Sequence, residues 1–255
     1  MDNPGGFEAD RLLALEDLPR VGAVAVYCAG SAIDGLGNAW SDIDLYVIGS
    51  CEPAGDCVID NGSHRVSIHY LEGRRIDFEF WQPAWVQQIA DKLTGFTEDQ
   101  LGEEVPLTGA EQKFVHRLLH SRTYFGDLAP WLRRFDSGKL ARMQRYACVR
   151  QTDHLHEDIC GMLESGDYAS AALLCRLLLD HALGAVLHAL GNTIATKKWW
   201  PRISGSLLAE DTMLHEWWAL QFPDIGPPHS ASDTLRGYAI DCILLAERLV
   251  TRAQE

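Results

Sequence analysis

The stretch "YCAGSAIDGLGNAWSDIDLYVIGS", residues 27–50, decides how the chain is read. An apolar segment over residues 21–30 ends at Gly30, a loop of small residues spans 31–41, and Asp42 and Asp44 open a second apolar segment over 42–49. Short apolar runs bounded by glycine and turn residues read as buried strands. Side chains two apart on a strand share a face, so Asp42 and Asp44 point the same way. Two carboxylates side by side repel each other, and a hydrophobic sheet compensates neither. Either something positive sits between them or they stand at a solvated strand end.

Outward from this stretch, Leu12, Leu13 and Leu15 recur at helical spacing and predict a helix over 7–18, stopped by Pro19. "HRVSIHYL" (64–71) and "RIDFEFW" (75–81) both alternate apolar and polar residues around the turn "EGRR", which predicts a hairpin. Pro83 then opens a helix. After residue 100 the pattern becomes helical, with long periodic segments at 109–122, 139–163, 168–191 and 235–253. "SGDY" (165–168) supplies an N-cap for the third of these, and Gly191-Asn192 a stop. The expected organisation is α+β: a mixed, twisted sheet flanked by helices over 1–100, then a helix bundle over 101–255. The boundary is expected within 94–109.

Composition narrows the functional classes. The apolar fraction of 47% and charged fraction of 23% are those of an ordinary globular protein. No apolar run is read as reaching the roughly 20 residues of a membrane span. The acidic start of the chain lacks the order of a signal peptide. Seven cysteines without a CxxC read as reduced thiols. These features together predict a cytoplasmic protein without a membrane partner. Residues 1–100 carry a net charge of −11, out of −14 for the whole chain. An acidic surface of this kind opposes long-range attraction of a polyanion, which disfavours nucleic acid as a partner. A nucleotide neutralised by a divalent metal is not opposed in this way.

The acids themselves point to chemistry. Gly30 lets the backbone approach a ligand, and Ser31 adds a hydroxyl and an amide, so the turn can cradle phosphate oxygens. A third carboxylate is available on the second hairpin strand, where Asp77 and Glu79 share a face. Three carboxylates converging from adjacent strands would bind two Mg²⁺ ions, hard cations that prefer oxygen. Two such ions can clamp the attacking and leaving oxygens of a phosphoryl displacement.

"AGSAIDGLGNAWSDIDLYV" resembles the signature of the polymerase-β-like nucleotidyltransferase superfamily: Gly-Ser, a loop of about ten residues, then Asp-apolar-Asp-apolar. In layout, an α/β catalytic unit followed by helices, the chain is similar to the small aminoglycoside nucleotidyltransferases of antibiotic resistance. The motif covers residues 20–81, and layout alone covers the rest. The resemblance implies that Gly30 and Ser31 contact the triphosphate, that Asp42 and Asp44 bind metal, and that Asp77 or Glu79 completes the site. It further implies transfer of a nucleoside monophosphate, AMP from ATP, to a hydroxyl of a small-molecule acceptor, with release of pyrophosphate.

The helical half offers further candidates. Lys197 and Lys198 could balance triphosphate charge, or be ordinary loop lysines. Asp180, on an apolar helical stretch, could serve as general base, or pair with Arg176 one turn earlier. Trp199, Trp200, Trp217 and Trp218 could wall an acceptor pocket, or simply pack. Two other functions stay open at this point: a nucleotide-binding regulator without turnover, and a toxin-type ribonuclease. The latter is marked by Arg, four to six residues, then His, a spacing matched by Arg176 to His181 and Arg150 to His156.

Overall fold

A computed structural model describes residues 9–18, 22–54, 58–98, 106–223 and 232–255, and every statement below concerns these residues. They fall into two compact units. The first runs up to Phe96 and resumes over Pro106–Asp136; the second contains Thr97, Glu98 and Ser137–Glu255.

The first unit is built on a six-stranded sheet. After α1 (Ala9–Ala14) come β1 (Ala23–Ala29), β2 (Ile43–Gly49), β3 (Val58–Asp60), β4 (Arg65–Leu71) and β5 (Arg74–Trp81). Then follow α2 (Pro83–Gly95), α3 (Gly109–Leu119), β6 (Arg122–Gly126) and the short α4 (Ala129–Leu132). The strand order is β3-β4-β5-β2-β1-β6. Only β2 and β5 run parallel; their neighbours pair antiparallel. The expected hairpin is β4–β5, closed by Glu72 and Gly73 at φ +53° and +78°, the positive-φ pair that a two-residue hairpin turn demands.

Alternation sorts the central strands into two faces. One carries Val26, Cys28, Ile43, Leu45, Val47, Ile76, Phe78 and Phe80, which form a core with Leu12, Leu13 and Leu18. Glu16, wholly buried at this core's edge, accepts from Ser67 Oγ, His69 Nε2 and the Ala54 N–H. The opposite face is aromatic and polar. Tyr27 stacks on its register partner Tyr46 at 5.0 Å, and Trp81 meets Phe114 of α3 at 4.3 Å. The acids lie on this second face.

Two expectations need correction here. The helix expected over 109–122 ends at Leu119, and "RTYFG" forms an edge strand that pairs with β1. The sheet unit therefore continues past residue 100, where the sequence reading ended it. The cause is visible: five residues are too few to show a period of two beside a strong helical pattern. Pro19 lies outside the described residues, so its role as a helix stop is not addressed.

In the second unit α5 (Ser137–Ser165), α6 (Tyr168–Ala189) and α9 (Ser232–Gln254) are the long helices, with α7 (Trp200–Leu207) and α8 (Thr212–Gln221) beside them. Asp167 caps α6 by accepting the Ser170 N–H, and Gly191 at φ +85° ends it as read from the sequence. α6 is the core helix, with Leu178, Leu179, Ala182 and Leu183 fully buried between α5 and α9. Contrary to the expectation that no apolar run reaches span length, α6 is long and apolar enough to cross a membrane by length and composition. Its burial against neighbouring helices accounts for that composition in a globular core.

Candidate functional site

Gly30, at the end of β1, has φ +87°, a region costly for residues with a Cβ. Its carbonyl accepts the N–H groups of Ile33 (2.9 Å) and Asp34 (3.0 Å), while that of Ser31 accepts those of Leu36 and Gly37 (2.9 and 2.6 Å). The small-residue loop is thus wound onto Gly30 and Ser31 by its own backbone. Further along, Asn38 Oδ1 accepts the Trp40 N–H and Ser41 Oγ accepts the Asn38 N–H, both at 2.9 Å, which delivers the chain to Asp42.

Asp42 precedes β2, and Asp44 lies within it, directly opposite Asp77 on the parallel strand β5. Carboxylate oxygens of Asp42, Asp44 and Asp77 all lie within 4.8 Å of one another. Among the described residues no other group of three His, Cys, Asp or Glu side chains brings ligand atoms so close. Glu79, one pleat further along, stands outside this cluster. Its Oε1 accepts the Tyr46 hydroxyl (3.0 Å) and Lys113 Nζ (3.3 Å), and its Oε2 accepts Trp81 Nε1 (3.4 Å). Of the two acids left open for the third position, Asp77 joins the aspartates and Glu79 stands outside them in an adjoining polar network.

Two arginines meet the cluster, and the sequence reading named neither. Arg117 of α3 places Nη1 3.0 Å from Asp44 Oδ1, lies 3.6 Å from Glu79, donates to the Tyr46 hydroxyl and stands over the Tyr46 ring. Arg75, more exposed, forks onto Asp77 with Nε–Oδ1 at 2.7 Å and Nη2–Oδ2 at 2.8 Å. Positive charge thus faces two of the acids in the protein itself. Burial pushes the Asp44 carboxyl above the ordinary range, Arg117 pulls it down, and Asp42 raises it further. A sequence signal for Arg117 did exist. Lys113 and Arg117, and likewise His116 and His120, sit four apart on a helix whose other positions include Phe114, Val115 and Leu118.

The donor set fits a divalent cation. Three carboxylates give hard oxygen ligands and more negative charge than the arginines contacting Asp44 and Asp77 neutralise. Gly30 leaves the room this requires, because a Cβ there would stand 2.3 Å from Asp44 Oδ2.

The other candidates lie in the helical unit. Asp180 accepts from Gln221 Nε2 at 3.0 Å, and burial pushes its carboxyl up. Arg176, the expected pairing partner, donates to the Gln221 carbonyl at 3.1 Å. Lys197 Nζ lies 3.1 Å from His181 Nε2, and Lys198 stands over the Trp199 ring. Trp200 and Trp217 are core residues whose indoles donate to the Ile194 and Leu179 carbonyls. Trp218 is part-exposed and stacks on Phe222. Arg176 is held by Gln221, and burial together with Lys197 lowers His181 to about 4, so its ring is neutral near pH 7.

No protein-family model matches the chain, and no curated protein matches it in sequence. Among solved structures it is similar to a nucleotidyltransferase-like protein from Exiguobacterium sibiricum 255-15, at a TM-score of 0.52 and 13% identity. The match covers 95% of this chain and 73% of that one. The fold is nucleotidyltransferase-like. At this identity the likeness concerns the fold, and the acid cluster stands on its own geometry.

Proposed function

We propose that this protein is a metal-dependent nucleotidyltransferase that moves a nucleoside monophosphate from a nucleoside triphosphate, ATP in the first instance, to a hydroxyl of a small-molecule acceptor. The observation that carries this reading is the meeting of Asp42, Asp44 and Asp77 beside the Gly30–Ser31 turn on a nucleotidyltransferase-like fold. In the reaction the acceptor oxygen bonds to the α-phosphorus, the α–β bridging bond breaks, pyrophosphate leaves and the hydroxyl proton passes to a base. Asp42, Asp44 and Asp77 would hold Mg²⁺, which when bound supplies positive charge against the phosphate oxygens. Gly30 and Ser31 would contact the triphosphate through the small-residue turn. Asp180 as base, and Lys197 and Lys198 as phosphate contacts, are proposals that rest on side-chain chemistry alone. A cationic acceptor of the aminoglycoside kind suits the net charge of −11 over residues 1–100.

The test is pyrophosphate release with each of ATP, GTP, CTP and UTP, with Mg²⁺ and then with EDTA, across a panel of aminoglycosides and other polyols. Metal-dependent release that requires one acceptor and disappears in Asp42→Asn is the expected result. Nucleotide binding without release across the panel would favour a silent regulator instead.

A further inference from the structure

The two arginines treat their aspartates differently. Arg75 occupies both oxygens of Asp77 from a side chain that is 46% exposed. Arg117 is largely buried and meets Asp44 through Oδ1, while Oδ2 is the oxygen lying over Gly30, 2.3 Å from where a Cβ would stand. Arg117 is itself fixed from several sides. It lies 3.6 Å from Glu79, contacts the Tyr46 hydroxyl and stands 5.3 Å from the Tyr46 ring centroid. Glu79 is tied in turn to Tyr46, Trp81 and Lys113. All three polar contacts run through Nη1, and the planar guanidinium standing over the Tyr46 ring sets the direction of that nitrogen, which a freely rotating ammonium on a flexible stem does not.

We propose that Arg117 is a positioning residue for the metal centre: by holding Asp44 Oδ1 it directs Oδ2 over the Gly30 turn as the ligand atom. Glu79 acts one step further out, as the anchor of Arg117. This inference rests on the metal reading above but assigns a role outside the acid signature. Groups that orient a metal ligand typically change metal affinity by about 10- to 100-fold when removed.

The experiment measures Mn²⁺ binding to the full chain by electron paramagnetic resonance of the free ion. Wild type, Arg117→Met and Arg117→Lys are compared at equal concentrations of folded protein, established by circular dichroism. Positioning predicts about tenfold weaker binding in Arg117→Met and a clear loss in Arg117→Lys, which keeps the charge but not the planar group over Tyr46 that directs it. Should Arg117→Met fail to fold, Arg117→Lys decides the matter. Wild-type affinity in Arg117→Lys, or tighter binding in Arg117→Met, overturns the inference and leaves the metal site standing. Absence of Mn²⁺ binding by wild type overturns the metal reading and this inference together.

Discussion

Asp44 on β2 and Asp77 on β5 are direct register partners across the single parallel strand pair of the described sheet. Because the following partners in the same register are Tyr46 and Glu79, only Asp77 of the two β5 acids joins the cluster, and Glu79 reaches it through Arg117.

Substitutions at the two β5 acids should therefore differ in where their main cost falls. Asp77→Asn removes a ligand and relieves repulsion in the cluster, so Mn²⁺ affinity falls at least about tenfold while the metal-free protein keeps its melting temperature. Glu79→Gln weakens the hydrogen bonds and ion pairs around a buried carboxylate, costs about 1–3 kcal/mol of stability and, by loosening Arg117, weakens Mn²⁺ binding less than Asp77→Asn does. Thermal melts with and without Mn²⁺ separate the two, and equal behaviour of both variants would contradict the assignment.

Gly30 and Gly62 both have positive φ, +87° and +77°, but only Gly30 has a neighbour where a Cβ would go. Gly62→Ala should cost about 1–2 kcal/mol, the backbone penalty alone, and leave metal binding intact. Gly30→Ala adds a collision with Asp44 Oδ2, so it should lose more stability and weaken Mn²⁺ binding. The comparison uses urea unfolding and Mn²⁺ titration on both variants.

Arg75 competes with any cation for Asp77, since it takes both oxygens. An exposed pair of this kind contributes about 0.2–1 kcal/mol, so Arg75→Ala should bind Mn²⁺ more tightly, by up to about fivefold. The gain should shrink as ionic strength rises. Calorimetric titration at low and high salt measures both effects.

The helical unit should lose stability in acid through His181. Burial, then Lys197, lowers this imidazole from 6.5 to about 4. Between those values the unfolded chain binds the extra proton and the folded one does not, so stability falls as pH drops from 7 toward 4. Asp180, whose carboxyl burial pushes up, works in the opposite sense. The informative quantity is thus the difference between wild type and His181→Gln, whose pH slope should be shallower in urea unfolding followed by circular dichroism.

Much of this arrangement was legible in the chain. The Gly30–Asp44 stretch gave strand, loop and strand, and the alternation over 64–81 gave the hairpin that brings Asp77 to Asp44. The choice between Asp77 and Glu79 was not legible, because both share a face and differ only by one pleat of register. Arg117 was hidden for another reason. It sits among apolar residues of helical period beyond the expected boundary, and the return of this part of the chain to the sheet rests on long-range contacts, among them the pairing of β6 with β1. Long-range pairing of that kind leaves no local pattern. The helical unit was the easier case, with caps at Asp167 and Gly191 marking α6 from its own neighbours in sequence.

The acids and their buried arginine reach the sheet at different times during synthesis. Asp42, Asp44 and Asp77 leave the ribosome well before α3 and β6, so a nascent sheet would hold three adjacent carboxylates with Arg117 still in the exit tunnel. β1 and β4 already flank the β2–β5 pair by then, so what the sheet lacks until the chain has grown past residue 126 is the arginine on Asp44 and the edge strand on β1. A chain cut near residue 100, where composition invites the cut, would contain every acid of the signature and still lack the arginine and the edge strand that complete the unit.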